Sequence, residues 1–406
     1  MSSLIVGPPA TGERFYDREE IIKLIWERLD TSSLLLVAPR RFGKTSVMLN
    51  LRDNPEDGYK PVFMDVEDLE SPSQFVAELI AEMVRCLPGY QRALNGFTNL
   101  KSKLTDVFRG INFSIPLKDP NSDYEIAEIK IGLKERIEKD WQNLGKILLK
   151  HAEQVDGKVI LMIDEFPLMI KRMLKGKDKE AVEVFLHWFR SFRIGPDALE
   201  NVRFIIGGSI GIEHVLAQAG AVASMNDLDR IKVEPFPRDV AKSLVDGLFK
   251  NQSITVGDDV IEQVLQEVEI FVPFFLQLIV SETSKLARDK KENISSSLVS
   301  EAYRERVISV ESRTYFEHFY SRLRDYYEPD EERTAKNMLK QLAIKKSLTI
   351  RELRNISRQT VPDLSDEIFS NLLSDLENDF YLKRRDDSYI FHTKVLRDWW
   401  VRFYGF

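Results

Sequence analysis

Short, mostly apolar runs of strand length punctuate the first 236 positions of the chain. Residues 34–38 form one, closed by Pro39; residues 61–66, 159–164 and 204–207 form three more, and 231–233 is a candidate fifth. Between them lie stretches with apolar residues at helical spacing, 44–51 and 73–87 among them. Strand-length runs that are apolar on both faces and separated by helices point to a parallel sheet covered on both sides. The pattern therefore predicts an α/β core.

From Pro235 onward the periodicity is helical only. Helices are predicted over 238–250, 258–268, 274–287 and 296–309, and the acidic segment 326–332, which carries Pro329, reads as a boundary. Beyond it, three short helices and then a strand pair at 381–383 and 389–391 are expected. Three helices followed by a hairpin is the order of a winged helix. A further feature interrupts the core: around 110–132 two alternating runs, 111–115 and 124–131, flank a Lys-Asp-Pro-Asn-Ser-Asp turn. This reads as a β-hairpin inserted within about 95–140, too long for a connecting loop and suited to recognition or assembly.

Composition narrows the classes. The chain has 406 residues, 43% apolar and 30% charged, with a net charge of −7. Such a length suggests two or three domains, and such a composition a globular chain with more than one core. The single cysteine, Cys86, excludes an intramolecular disulfide and makes a reducing cytoplasm the expected setting. Residues 1–10 lack the basic and apolar regions of a signal peptide, and the longest apolar run, 270–280, is too short to span a bilayer. The acidic balance argues against a globally basic nucleic-acid binder.

The strongest chemical signal is Ala38-Pro39-Arg40-Arg41-Phe42-Gly43-Lys44-Thr45-Ser46. It follows an aliphatic strand and opens a helix, the context a phosphate-binding loop needs. Backbone N–H groups at a helix start, together with the helix dipole, favour an anion. Gly43 lets the backbone approach it closely, Lys44 is suited to the β- and γ-phosphates, and the Thr45 hydroxyl to Mg²⁺. A chance Gly-Lys-Thr in a loop is the competing explanation, weakened by the flanking strand and helix.

The second signal is the run 159–163 leading into Asp164 and Glu165. A buried parallel strand delivers its last residue to the carboxyl edge of the sheet, where open α/β sheets bind ligands. Asp164 is then a candidate for the Mg²⁺ shell, and Glu165 for the general base that polarises an attacking water. Two solvated acids at a strand end are the bland alternative.

These motifs resemble those of AAA+-related ATPases of the STAND type, close to the prokaryotic "archaeal ATPase" group. Phe15-Tyr16-Asp17-Arg18-Glu19-Glu20 resembles the F-x-G-R-E-x motif with Asp17 in place of glycine. Residues 39–46 resemble an arginine-containing Walker A form, with Ala38 where the usual pattern has its first glycine. Asp164-Glu165-Phe166-Pro167 resembles the Walker B extension, and Phe204-Ile205-Ile206-Gly207-Gly208-Ser209 the sensor strand. Phe271-Val272-Pro273 stands where a G-x-P motif falls, with Phe271 replacing glycine. The resemblance implies an ATP site with Mg²⁺, lined by residues 39–46 and, in the lid, by Pro273 near the base or sugar; a proline opening a helix is the equal alternative. Ser209 is either a γ-phosphate sensor or a helix N-cap. The resemblance also implies an arginine finger, for which Arg190, Arg193 and Arg230 are candidates, each otherwise a surface arginine.

Other chemistries lack support. The histidines 151, 187, 214, 318 and 392 are scattered, no Gly-x-Ser-x-Gly elbow is present, and no guanine-reading Asn-Lys-x-Asp run occurs. Cys86 reads as a packed small hydrophobe. The recognition helix of the winged helix is expected near 364–379, yet 363–379 carries six acids and no lysine or arginine. Residues 330–406 hold 14 basic against 13 acidic residues, with Lys383-Arg384-Arg385 in the wing as the local exception. Phosphate repulsion disfavours DNA reading there, so a regulatory or protein-docking module is expected, with DNA the lesser alternative. The tail 399–404 is expected to pack on this module.

Taken together, the sequence predicts a P-loop ATPase core at 1–236, a helical lid at 237–310 and a linker with a winged-helix-like domain at 311–406. The expected function is an Mg²⁺-dependent ATPase acting as a nucleotide-controlled switch, with a protein partner or further copies of itself and without a membrane. The rivals are a DNA-associated ATPase, a non-hydrolysing nucleotide-holding scaffold and a nucleoside kinase; the adjacent acids favour water over a dedicated acceptor.

Overall fold

A computed structural model describes residues 6–87, 137–176, 179–208 and 211–406. The hairpin expected at 110–132 and the candidate sensor Ser209 lie outside these residues. The chain divides into two compact units. One comprises residues 18–37 and 44–232; the other comprises 1–17, 38–43 and 233–406.

The first of these is the α/β unit. In chain order it contains α1 (Glu19–Leu29), β1 (Leu34–Val37), α2 (Lys44–Asp53), β2 (Tyr59–Asp65), α3 (Pro72–Cys86), α4 (Trp141–Ala152), β3 (Lys158–Asp164), α5 (Phe166–Gly176), α6 (Lys179–Ser191), β4 (Val202–Gly208), α7 (Ile212–Gln218) and β5 (Asp229–Lys232). The five strands form one parallel sheet in the order β2-β3-β4-β1-β5. All five apolar runs are strands. Leu34 to Val37 are buried throughout, as are Val159 to Asp164, because helices cover both faces.

The strand order positions the site. The chain leaves β1 for β2, three strands away, and later returns to flank β1 with β4 and β5. This change of direction at β1 opens a crevice at the carboxyl edge, the place where open α/β sheets take ligands. The residues ending β2 and β3 at that edge are Asp65 and Asp164, paired in register.

The second unit is helical with one small sheet. Helices α8 (Arg238–Lys250), α9 (Asp258–Val268), α10 (Pro273–Lys290) and α11 (Ser296–Ala302) come first. The helix expected over 296–309 changes character: past Ala302 it continues as a wider π-helical turn, Tyr303–Val307. That turn carries Tyr303, whose hydroxyl donates to Asp398 at 2.8 Å while the Lys394 ammonium lies 3.8 Å from its ring centroid.

Next come α12 (Arg313–Tyr326), α13 (Pro329–Lys345), β6 (Leu348–Thr349), α14 (Ile350–Thr360), α15 (Asp366–Asn378), β7 (Leu382–Arg385), β8 (Ser388–Phe391) and α16 (Lys394–Tyr404). The strands form an antiparallel sheet ordered β6-β8-β7. Three helices are followed by a hairpin, β7-β8; the two-residue β6 is too short to register as a periodicity. Pro329 opens α13, where the Glu331 side chain accepts the Glu328 N–H at 3.1 Å. Trp399 and Trp400 on α16 are fully buried, so the aromatic tail packs as expected. Among the described residues no helix is long and apolar enough to cross a membrane.

Candidate functional site

The α/β unit gathers four of the predicted residues. Lys44 and Thr45 open α2, and Asp164 and Glu165 end β3. The Lys44 ammonium lies 2.8 Å from Asp164 Oδ1 and 3.3 Å from Glu165 Oε1. The Thr45 hydroxyl donates to Asp164 Oδ2 at 2.6 Å, and the Glu165 N–H donates to Asp164 Oδ1 at 2.9 Å. Asp164 is 1% exposed, Lys44 7% and Glu165 24%. Burial works against the Lys44 charge, but the two carboxylates overrule it and hold the ammonium above its ordinary range. Ser46, one residue on, is buried in α2.

Two backbone features make this arrangement possible. Glu165 sits at φ 56°, the left-handed region that non-glycine residues seldom occupy. Its carbonyl accepts the N–H groups of Leu168 and Met169, at 3.1 and 3.3 Å, so it turns the strand directly into α5. Gly207 on β4 supplies the space: a Cβ there would stand 2.5 Å from Asp164 Oδ1 and 3.0 Å from Met48 Sδ.

The remaining loop residues, 38–43, belong to the second unit. Ala38 is buried, which explains why a small residue serves where the pattern has glycine. Arg41 and Gly43 both have positive φ, 75° and 93°. Arg41 donates from Nη1 to the Gly7 carbonyl at 2.9 Å, and its guanidinium lies 4.5 Å from the Phe274 ring centroid. Phe42 is buried against Phe380, with ring centroids 5.0 Å apart. Pro39 is buried and Arg40 exposed. Pro273 is the first residue of α10, the helix-opening use of proline, and precedes the Phe274 on which Arg41 stacks.

The residues present fit a magnesium nucleotide. A hard divalent cation takes oxygen ligands, and Thr45 Oγ1 and Asp164 Oδ2 already lie side by side. A polyphosphate takes an ammonium and a helix N-terminus, and Lys44 supplies the first at the start of the second. Among the described residues no group of three or more His, Cys, Asp or Glu is placed to hold a metal by itself.

The other candidates have contacts of their own. Arg193 is 2% exposed on its side chain and grips Asp227 through Nε at 2.6 Å and Nη2 at 3.2 Å, while Nη1 donates to the Phe189 carbonyl. It is a buried ion pair, not a surface arginine. Arg190 shares Asp227 at 3.6 Å, and Arg230 pairs with Glu213. Burial pushes the Cys86 thiol up to about 11, as for a packed residue rather than a nucleophile. Asp17 has φ 43°, a conformation that accounts for the glycine of the F-x-G-R-E-x motif and that aspartate tolerates.

Sequence reasoning passed over Asp65. It ends β2 as Asp164 ends β3, an apolar strand run closed by an acid, and that signal was present in residues 61–65. Partial burial first, and then the neighbouring Asp164 and Glu165, raise its carboxyl above the usual range, against the opposing pull of the Glu67 N–H.

No family model matches the chain, and no curated protein matches it. Solved structures do. The Walker-type ATPase PABY2304 of Pyrococcus abyssi aligns over 98% of this chain and 99% of its own, at a TM-score of 0.60 and 16% identity. The ORC2 protein of Aeropyrum pernix, in ADPNP–ADP complexes, aligns over 96% of this chain and 95% of its own, at a TM-score of 0.53 and 8% identity. At such identities the likeness concerns the fold: this chain has the α/β fold of P-loop ATPases along nearly its whole length.

Proposed function

We propose that this protein binds ATP with Mg²⁺, hydrolyses it, and acts as a nucleotide-controlled conformational switch. One observation carries the reading: Lys44 and Thr45, from a helix N-terminus, both meet Asp164, with Glu165 beside them. The whole-chain likeness to a Walker-type ATPase and to a protein solved with ADPNP and ADP supports it.

In this reading residues 39–46 wrap the phosphates, with Pro273 near the base or sugar. Thr45 and Asp164 hold the magnesium, which when bound neutralises charge on the β- and γ-phosphates and fixes their position. Lys44 adds a fixed positive charge where negative charge develops during transfer. Glu165, more exposed than Lys44 and Asp164, accepts a proton from water at its carboxylate and so aligns that water for attack. Residues 1–236 serve as the ATPase core, 237–310 as the lid and 311–406 as linker and regulatory module in a cytoplasmic protein. Protein partners or further copies of the chain receive the signal.

A DNA-associated ATPase is the second reading, for which the exposed basic run Lys383-Arg384-Arg385 on β7 is the specific observation. The six acids between 363 and 379, largely on α15, weigh against it.

The deciding experiment compares wild type, Lys44→Ala and Glu165→Gln by calorimetry with ATP and Mg²⁺, by phosphate release and by oligomer size, with and without DNA. Lys44→Ala is expected to lose tight nucleotide binding. Glu165→Gln is expected to bind but to turn over roughly 100-fold more slowly, the lower end of a general base's contribution. Wild type that gives no heat with ATP and Mg²⁺ overturns the proposal; an output unchanged in Glu165→Gln replaces the switch with a scaffold.

A further inference from the structure

Resting on the ATPase reading, the geometry points to Asp65 as an additional residue of the metal site, one that receives hydrogen bonds from magnesium-bound water and sets the affinity for the cation. Asp65 and Asp164 are register partners on adjacent parallel strands. In such a pair both side chains stand on the same face of the sheet, about 5 Å apart at the backbone. That face is the one from which Thr45 reaches Asp164, and α2 packs on β2 there as well.

The side chain of Asp65 is half committed. One oxygen, Oδ1, accepts the Glu67 N–H at 3.0 Å; among the described residues Oδ2 has no hydrogen bond or ion pair. Asp65 keeps access to solvent, unlike Asp164. The local charge also calls for a cation. Asp65, Asp164 and Glu165 are three carboxylates sharing the ammonium of Lys44. A divalent ion held at Thr45 and Asp164 would offset the remaining two negative charges. Magnesium keeps several of its waters when bound, and those waters need acceptors. A free carboxylate oxygen one strand away is suited to that task.

The test uses the full chain, the non-hydrolysable ADPNP, and Mn²⁺ as a paramagnetic probe titrated by EPR. Asp65→Asn retains an acceptor for the Glu67 N–H while removing the charge. It is expected to weaken Mn²⁺ binding in the nucleotide complex roughly tenfold, the scale of outer-shell partners at metal sites. ADPNP affinity in EDTA should stay within twofold of wild type, and Asp65→Glu should recover part of the Mn²⁺ affinity. Wild type that takes up no ADPNP overturns the ATPase reading and this inference together. Wild type that binds normally, with Asp65→Asn matching its Mn²⁺ affinity within twofold, overturns this inference alone.

Discussion

Gly207 and Asp164 are so close that a single methyl group on the glycine would stand 2.5 Å from the carboxylate oxygen that Lys44 contacts. The small residue on β4 is what allows a charged group to occupy the middle of the sheet edge. Gly207→Ala is therefore expected to cost about 1–3 kcal/mol of stability, as overpacking does, and to weaken ATP binding by displacing Asp164. Gly247 makes the control: it lies inside α8, a Cβ there meets nothing within 4 Å, and alanine should stabilise by about 0.5–1 kcal/mol. Chemical denaturation and calorimetry of the two variants check both signs.

Arg193→Ala should unfold the protein more readily by about 3–5 kcal/mol, because it leaves the buried Asp227 with only the more distant Arg190, at 3.6 Å, as counter-charge. A finger role predicts the opposite signature, a large loss of turnover in a variant of normal stability. Measuring the melting temperature alongside phosphate release separates the two.

His318 supplies a pH dependence. Its Nε2 is buried without a hydrogen-bond partner among the described residues, and burial, followed by Arg40, Arg41 and Arg322, pushes the imidazole down to about 2. The folded protein keeps this ring neutral, whereas the unfolded chain protonates it below its ordinary value of 6.5. Its contribution is therefore complete above that value and is lost as the pH falls beneath it. Between neutral pH and one unit below 6.5 the loss should be about 1 kcal/mol. His318→Phe should flatten that part of the stability profile; an unchanged slope would refute the assignment.

On the C-terminal hairpin, Lys383, Arg384 and Arg385 are exposed on β7. Replacing all three with alanine is expected to leave ATP hydrolysis intact and to remove whatever salt-sensitive affinity the protein has for duplex DNA. Electrophoretic titrations at low and moderate salt check this, and a steep salt dependence surviving in the variant would place DNA contacts on another surface.

The parts of the fold written in strong local patterns were legible in advance. The aliphatic runs of β1 and β3 stood out because burial on both faces leaves no alternation to blur the signal, whereas β2 and β5 carry charged residues and are partly exposed. Lys44, Thr45, Asp164 and Glu165 were legible because a loop between strand and helix and an acid pair after a strand each carry a chemical reason. What depended on tertiary partners was not. The burial of Arg193 requires Asp227, 34 residues away, and a lone arginine on an amphipathic helix reads as solvated. The helix ending at Ala302 gives way to a π-helical turn next to contacts with Asp398 and Lys394, both remote in sequence. The register of Asp65 with Asp164 emerged only once β2 and β3 were known to be neighbours.

The place of β1 in the sheet constrains how the protein is made. Its partners begin at Val202 and end at Lys232, so four consecutive aliphatic residues are synthesised about 170 positions before anything can pair with them. Closing so long a loop is slow, and an apolar strand waiting with open edges is prone to stick to other chains. A nascent chain halted before residue 232 would hold the complete phosphate-loop sequence without the scaffold that shapes it, so nucleotide binding should arise late in biogenesis and be the first property lost on truncation.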